Sequence, residues 1–568
     1  MNRQPSKMSL QSMATERSTW RSLSLRRTEM AGVDEPPFGD GRVQLVSLLN
    51  AAIAAAVYIL HYESFRITAG VMDHWCSRPE EFGNLSVTQW KELAIPIDEN
   101  GVYSRCTVRE PPFGVANNHV VPCASWEFDL DKYGNNIVSE WALVCDRAWL
   151  IVLARLAYAA SCIVSTPLVS RLADRAGRKL VVFGTIPVVL ITGVASSLPN
   201  NFQFFVIVRA VVSAATSCTV PPLLAILWEV SPPRKAPLYC VISILVTLVV
   251  SDSAVAAAEA LKTGWATLQL FLMVPTFLLV ALYFTLEDSP SWLVATGHAV
   301  EAERVSVHLA RSNGVTMTRC RELFALQYKT QQRDEEEAVE QTNACGPRLR
   351  GRTVLILYMW TVFAYVHDSY VTNDGIPVSG PVKLIAAVSS LTVCLLFTRW
   401  VVQYGPKRTV VANGLLFSAS LAATTATSAN DQMVRNVLTV VTRVSSYSLL
   451  LNFSMLTLQL YPVTARCVAM AIAIVSSRVG DTLAQTSTTL IGPTWHTGNG
   501  LVIAAVTMAL FVIAGEYLPD ENKTSALAVS LSRRRSSAGE ELRRAFRDTL
   551  KPLQMKRPKP SDKRPRKN

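Results

Sequence analysis

The chain has 568 residues, of which 50% are hydrophobic and 17% charged, and its formal net charge is +12 at pH 7. Soluble domains carry about 25% charged residues, so this composition indicates a membrane protein. The excess of lysine and arginine lies in the two tails and in short segments between apolar runs. Membrane topology explains that placement, and nucleic-acid binding is therefore disfavoured.

The amino-terminal tail, residues 1–42, contains basic residues but no apolar run: Arg3, Lys7, Arg17, Arg21, Arg26 and Arg27. A cleavable signal peptide requires an apolar segment after its basic residues. We therefore expect no signal peptide, and we expect this tail to stay in the cytoplasm.

Twelve apolar segments follow, each near the length of about 20 residues that a helix needs to cross the hydrocarbon core. They lie at 43–62, 148–169, 180–198, 203–227, 237–258, 266–286, 353–371, 379–402, 409–428, 435–458, 466–490 and 499–518. A polar segment, 287–352, divides them six and six. The pattern predicts an all-α membrane protein of two six-helix bundles, 43–286 and 353–518.

Charge bias gives the expected topology. With the amino terminus inside, the segments after even-numbered helices are cytoplasmic, and these carry basic residues such as Arg234, Lys235, Lys407 and Arg408. The short outer segments around 198–201 and 492–499 contain no lysine or arginine. Because basic residues are retained on the cytoplasmic side, we predict that both termini, including the basic tail 519–568, are cytoplasmic.

The first long loop, 63–147, is extracellular on this topology, and we expect it to form a small folded cap. It contains the N-glycosylation sequon Asn84-Leu85-Ser86. It also holds four of the eleven cysteines: Cys76, Cys106, Cys123 and Cys145. Disulfides persist outside the cell, so we predict two bridges, with all three pairings open and four free thiols as the alternative. No histidine and cysteine spacing indicates a metal site.

The second long loop, 287–352, is cytoplasmic on this topology. Its stretch 298–341 has the pattern of an amphipathic helix that ends in an acidic run, Asp334 to Glu337. The carboxy-terminal tail, 519–568, is too charged and proline-rich to fold alone.

The turn between the second and third predicted helices, S-R-L-A-D-R-A-G-R-K-L, spans residues 170–180. It contains five charged residues: Arg171, Asp174, Arg175, Arg178 and Lys179. The bilayer core could not hold this stretch, so it is a cytoplasmic turn. L-A-D-R-A-G-R-K resembles the signature of the major facilitator superfamily between helices two and three, with Ser170 in place of the first glycine.

Five further stretches resemble the organic ion transporters of that superfamily, which include anion, cation and carnitine transporters. They are I-V-S-E-W-A-L-V-C-D (137–146), W-E-V-S-P-P-R-K (228–235), D-S-P-S-W-L-V-A-T-G (288–297), Q-L-Y-P-V-T-A-R (459–466) and L-P-D-E-N-K (518–523). The chain departs from the family pattern at Asp288, Ser291 and Gln459. The resemblance implies a two-bundle carrier that works by alternating access around a central site.

Ionisable residues inside spanning helices are costly and usually face a polar site or a partner. The clearest cases are Arg209, Asp252, His367, Asp368, Lys383, Arg478 and Asp481. Lys383 and Arg478 resemble a lysine and an arginine that line the central site of organic anion members. Two such cations favour an anionic substrate. In the alternative, Arg478 is neutralised by Asp481 on the same helix face.

Further substrate-binding candidates come from the resemblance. Phe363 and Tyr365 match the family's F-x-Y-Y, with Val366 replacing the second tyrosine, and His61 matches a family histidine of the first helix. Arg209 matches an arginine of helix four, with Asp252 as a plausible partner. Aromatic residues on membrane helices more often pack than bind, so Tyr365 is the stronger aromatic candidate, whereas His61 and Arg209 could equally serve packing or structure alone.

The cytoplasmic turns are expected to form a gate. In the amino-terminal half, Asp174, Arg175 and Arg178 lie in the signature turn, and the two arginines can meet Glu229 and Glu287 or Asp288. In the carboxy-terminal half, Gln403 and Gln459 stand where acids are expected, so Lys407 and Arg408 lack their nearest predicted partners. We therefore expect an asymmetric gate.

The sequence thus predicts a plasma-membrane carrier of small organic ions, most simply organic anions, by uniport or by exchange for another anion. A cation or carnitine-like zwitterion carrier is the alternative, and a transport-dead sensor or scaffold is the alternative from another class. No nucleophile and base constellation indicates an enzyme, and we expect no cofactor.

Overall fold

The computed structural model describes residues 36–70, 72–98, 101–110, 119–130, 134–199, 201–260, 263–338, 347–372, scattered helical positions between 389 and 404, and residues 405–427, 431–491 and 499–518. The helices and strands described below belong to the unit Met1–Glu516; Tyr517–Asn568 separate from it as a second unit.

The amino-terminal half is built from long apolar helices joined by short turns. Its membrane-length segments are α1 (Arg42–Thr68), α4 (Trp149–Ala176), α5 (Arg178–Ala195), α6 (Phe202–Val230), α7 (Ala236–Ala260) and the stretch α8 (Trp265–Met273), a 3-10 segment (Val274–Ala281) and α9 (Leu282–Thr285). The turn between α4 and α5 is formed by Gly177, whose φ of +116° disfavours any side chain. The end of the helices at this turn is called the basic end.

The segment between α1 and α4 folds into a loop domain. It contains β1 (His74–Cys76), α2 (Val87–Ala94), β2 (Thr107–Arg109), β3 (Val120–Pro122), β4 (Trp126–Phe128) and α3 (Ile137–Glu140). Strands β1 and β4 pair antiparallel, as do β2 and β3. The helix end beside this domain is called the capped end.

The four loop-domain cysteines lie in two pairs at disulfide distance. Cys76 faces Cys123 with a Cα–Cα distance of 5.2 Å, and Cys106 faces Cys145 at 5.6 Å. Both distances suit a disulfide bridge. The sequence leaves three pairings open, and the structure brings together Cys76 with Cys123 and Cys106 with Cys145. The formation of the two disulfide bonds remains a prediction. Asn84 of the sequon is exposed, so it is accessible to the glycan that we expect there.

The central segment forms short helices: α10 (Pro290–Ala295), α11 (Ala299–Asn313) and α12 (Met317–Ala338). The expected amphipathic helix over 298–341 is therefore divided, because Gly314 adopts a φ of +74° and ends α11.

The carboxy-terminal half contains α13 (Pro347–His367), followed by a π-helical turn (Asp368–Thr372), and then α14 (Pro406–Ala426), α15 (Gln432–Gln459), α16 (Arg466–Ile491) and α17 (Asn499–Glu516). The predicted eighth helix, 379–402, lies mostly outside the described residues. The other eleven predicted segments coincide with described helices, and the all-α membrane fold is confirmed.

Length and hydropathy agree with a membrane setting. Among the residues described, nine helical stretches are long and apolar enough to cross a bilayer. The apolar window of α6 is 83% buried, whereas that of α4 is 22% buried. On α4, exposed apolar side chains recur every three or four residues, at Leu153, Leu156, Ala160, Val164, Leu168 and Leu172. Because this stripe is exposed and apolar, it is suited to contact lipid.

Candidate functional site

Arg478 lies halfway along α16 and reaches from the carboxy-terminal half to the amino-terminal half. Its side chain is buried, with 6% of the residue exposed. Arg478 Nε donates a hydrogen bond to the Tyr58 hydroxyl of α1 at 2.6 Å. The guanidinium also lies over the Tyr62 ring, 3.6 Å from its centroid. The faces of tyrosine rings attract cations, so α1 stabilises the guanidinium through two neutral side chains.

Asp481 supplies the counter-charge. Its Oδ2 lies 3.3 Å from Arg478 Nη1, one helical turn away on α16. Within the part of the chain that the structure describes, this nitrogen has no hydrogen-bond partner in spite of the ion pair. The structure therefore has the pairing that the sequence offered as an alternative, but Arg478 retains N–H groups for a second acceptor.

A second charged cluster lies at the basic end. Arg178 is fully buried and forms an ion pair with Glu229 of α6, whose side chain is 1% exposed. Arg178 Nη2 also donates to the backbone carbonyl of Val463 at 2.8 Å, and Asp174 lies 3.6 Å from the same nitrogen. Arg466 of α16 donates to Glu229 Oε1 at 3.0 Å. The cluster thus joins the two halves through two guanidiniums that share one carboxylate.

Asp288 and Glu287 differ from the expected pattern. Asp288 Oδ1 accepts hydrogen bonds from the backbone N–H groups of Arg178 and Lys179, at 3.1 and 2.9 Å, instead of pairing with a guanidinium. Glu287 pairs with Lys179 at 2.9 Å. Asp288 sits at the amino end of α5, where the helix offers unpaired N–H groups to a carboxylate. Burial raises the pKa of Asp288, and these N–H donors partly oppose that rise.

The remaining gate candidates are not brought into this cluster. Arg175 and Arg408 are exposed. Lys407 has a partner that the sequence interpretation missed, since its Nζ donates to the Glu516 carbonyl at 2.8 Å and lies 3.7 Å from the Glu516 carboxylate. Glu516 is 109 residues away at the end of α17, so local spacing could not reveal it.

Of the substrate-binding candidates, Arg478 bridges the two halves through a side-chain hydrogen bond. Phe363 is packed inside the carboxy-terminal half, with its ring centroid 6.1 Å from that of Trp360. His61 is buried within the amino-terminal half, where Nε2 lies 3.4 Å from Thr276 Oγ1. Tyr365 is half-buried on α13. Lys383 lies outside the described residues.

The Arg209 side chain is buried among residues of α1 and α4. Its guanidinium donates to Ser64 Oγ at 3.0 Å and to the His61 carbonyl at 3.1 Å, and it lies over the Phe65 and Tyr158 rings. The expected partner Asp252 has a side chain outside the described part of the chain. The visible contacts tie α6 to α1 and α4.

Several residues of these clusters were missed by sequence interpretation. Tyr58 and Tyr62 are two ordinary tyrosines of an apolar helix, and only the fold shows that they face Arg478. Arg155 and Arg443 lie inside the predicted spans 148–169 and 435–458. The rule that selects Arg209, an ionisable residue within a span, would have found both arginines.

Comparison with solved structures agrees with this architecture. The xylose transporter XylE from E. coli, in a partially occluded inward-open conformation, superposes with a TM-score of 0.53 over 84% of this chain and 100% of that chain, at 13% identity. Residues 148–372 match the Major Facilitator Superfamily. The chain thus shares its fold with a solved sugar transporter, and about 40% of its length is similar to the Major Facilitator Superfamily.

Curated relatives narrow the family. The solute carrier family 22 member 20 of Mus musculus is 24% identical over 531 residues, 89% of this chain and 94% of that protein. The beta-alanine transporter of Drosophila melanogaster is 27% identical over 368 residues, which are 57% of this chain and 59% of that protein. The chain is thus similar to solute carriers of this kind, and the relatives it matches are transporters and not enzymes.

Proposed function

We propose that the chain carries small organic ions across the plasma membrane by alternating access, with Arg478 as the group that binds a substrate carboxylate. The observation that carries this proposal is the buried Arg478 between the halves, with Tyr58 at 2.6 Å. A buried cation between two bundles is costly unless it has a use or a partner. Arginine binds a carboxylate through parallel hydrogen bonds, and aromatic faces contact a planar substrate.

Organic anions are the first candidate class. Arg478 would supply one cation of the site, and Lys383 is the proposed second. The proposal predicts uptake of monocarboxylates and aromatic carboxylates, and loss of that uptake in Arg478→Ala and Lys383→Ala. Stimulation of uptake by an anion loaded inside the cell would indicate exchange; no stimulation would indicate uniport.

Zwitterions are the second candidate class, and one observation favours them. Asp481 lies 3.3 Å from Arg478, so the same site offers a carboxylate and a guanidinium. A substrate with both charges, such as beta-alanine, would match the two groups, and the Drosophila relative is named as a beta-alanine transporter. A simple anion would instead compete with Asp481 for Arg478.

A charge series tests the two classes. Uptake of propionate, beta-alanine and propylamine, which share a three-carbon skeleton, is measured in cells that express the chain. Asp481→Asn keeps the side-chain shape and removes the charge. It should raise propionate uptake if anions are the substrates, and should abolish beta-alanine uptake if zwitterions are. Absence of flux for the whole series and for aromatic carboxylates, with the protein at the surface, would favour a sensor or scaffold instead.

A further inference from the structure

Four polar side chains lie at one level of the molecule, between Arg478 and the capped end. Tyr62, Arg155 and Gln485 are each six residues from the capped end of α1, α4 and α16. With a rise of about 1.5 Å per residue, this places each of them about 9 Å below that end. Asp368 follows directly on α13 at the corresponding end of its helix.

Contacts connect these four residues across the two halves. Gln485 Nε2 donates to the Tyr62 hydroxyl at 2.6 Å. The same glutamine amide donates to the carboxylate of Asp368, which is 3% exposed. Arg155 lies within electrostatic reach of both Asp368 and Tyr62. Tyr62 and Arg155 belong to the amino-terminal half, whereas Gln485 and Asp368 belong to the carboxy-terminal half.

We propose that Tyr62, Gln485, Asp368 and Arg155 form a latch, called the outer latch, which must open before Arg478 can be reached from the capped end. Two halves that rock apart at this end separate α1 from α16 and α4 from α13. The Gln485 amide would then lose Tyr62, and Asp368 would move away from Arg155. This inference rests on the proposed two-bundle carrier, but it does not depend on which ion is carried.

The latch differs in kind from the cluster at the basic end. The hydrogen bond that bridges the halves in the latch joins a neutral amide to a neutral hydroxyl, with the electrostatic attraction between Arg155 and Asp368 beside it. At the basic end, Glu229 instead forms direct ion pairs with two guanidiniums. Hydrogen bonds between neutral groups are about half as strong as those to charged groups. The outer latch should therefore open more readily than the basic end.

A native thiol can report on the latch. Cys162 lies on α4 and is buried, and its Sγ is 3.5 Å from Thr166 Oγ1. It lies within electrostatic reach of both Tyr58 and Arg478, below the outer latch. On the predicted topology, a membrane-impermeant thiol reagent added outside intact cells reaches Cys162 only past the latch.

The experiment measures the rate at which a methanethiosulfonate reagent modifies Cys162 in intact cells, with Cys162→Ala as the background. Gln485→Leu and Tyr62→Phe each remove the cross-half hydrogen bond, and each should speed labelling about fivefold, the factor expected for one net hydrogen bond. The double variant should be no faster than Gln485→Leu alone, since that variant already lacks the bond that Tyr62→Phe removes. Thr482→Val is the matched control, because among the described residues the hydrogen bond of Thr482 Oγ1 stays within its own helix, at Arg478 O.

A separate variant tests the ionic part of the latch, the attraction between Asp368 and Arg155. Asp368→Asn keeps an acceptor for Gln485 but removes the attraction to Arg155, so it should also speed labelling. Surface biotinylation identifies variants that fail to fold. If Cys162 is modified at the same rate in all folded variants, or in none of them, the latch proposal is wrong. It is also wrong if the effects of Gln485→Leu and Tyr62→Phe on that rate add in the double variant. Because no substrate is used, failure here leaves the uptake proposal standing, and failure of uptake leaves the latch standing.

Discussion

The carboxylate of Asp174, at the end of α4, accepts a hydrogen bond from the backbone N–H of Val468, at the start of α16, at 3.0 Å. Asp174 also accepts the N–H of Cys467 at 3.3 Å. An acidic side chain at a helix amino terminus is stabilised by the helix dipole and by unpaired N–H groups. A residue of the signature turn in one half thus caps a helix of the other half.

Asp174→Ala should loosen the basic end, because it leaves two backbone N–H groups of α16 without their acceptor. The expected loss is about 1.5–3 kcal/mol, the value of hydrogen bonds to a charged group. Asp174→Asn keeps one acceptor oxygen, so its loss of stability at the basic end should lie between that of Asp174→Ala and that of the parent. The measurement is the rate of thiol modification of the buried Cys467 in inside-out vesicles; equal rates for Ala and parent would contradict the capping role.

Glu229→Gln should have a larger effect on stability. It leaves Arg178 and Arg466 facing each other without the carboxylate that they share, and breaking a buried ion pair by removing one partner costs about 3–5 kcal/mol. The melting temperature of the purified protein reports this loss. Glu287→Gln is the control, since the Lys179–Glu287 side chains are 31% and 36% exposed and such a pair contributes about 0–1 kcal/mol. Similar shifts of the melting temperature in Glu229→Gln and Glu287→Gln would contradict the larger contribution of Glu229.

Asp288 gives a pH-dependent prediction. Because burial raises the pKa of Asp288 in the folded protein, the ionised form costs folding free energy at neutral pH. The parent should therefore gain stability relative to Asp288→Asn as the pH falls through the raised pKa toward the ordinary value of about 3.9. Above the raised pKa, Asp288→Asn should melt at or above the parent temperature, while Asp288→Ala, which has no acceptor for the two N–H groups, should melt below it. A parallel pH dependence of parent and Asn variant would show that this pKa is not raised.

Gly480→Ala should disturb the packing of α16 against α13 beside Arg478. A Cβ at Gly480 would lie 2.8 Å from Tyr365 N and 2.9 Å from Ala364 Cβ, and it would collide with the Thr361 carbonyl. Overpacking of this kind costs about 1–3 kcal/mol, and the melting temperature should fall. Gly184→Ala of α5 is the matched control, because nothing lies within 4 Å of its added Cβ. If both variants melt together, the close approach of α13 and α16 is wrong.

The loop-domain cysteines give a direct chemical prediction. Peptide mapping without reductant should recover Cys76 joined to Cys123 and Cys106 joined to Cys145. Any other combination would contradict the pairing, and four alkylatable thiols would contradict the bridges altogether.

The sequence predicted the spanning helices well because burial in lipid demands long apolar runs with internal backbone hydrogen bonds. It also identified Arg178, Glu229, Arg478 and Asp481. It could not show that Tyr58 and Tyr62 face Arg478, because an apolar helix gives no periodic signal for which face meets the other half. Nor could it assign Asp288 to backbone N–H groups, since that choice depends on where α5 begins.

Helix α4 runs without interruption from Trp149 to Ala176, over 28 residues, and thus about 42 Å. It carries Arg155 near one end and Asp174 near the other, and Cys145, just before it, lies at disulfide distance from Cys106 of the loop domain. If α4 tilts as one body, withdrawal of one end from the opposite half presses the other end toward that half. In a carrier that works as proposed, such a tilt would make simultaneous opening at both ends mechanically unfavourable, and it would let a force on the loop domain reach the basic end.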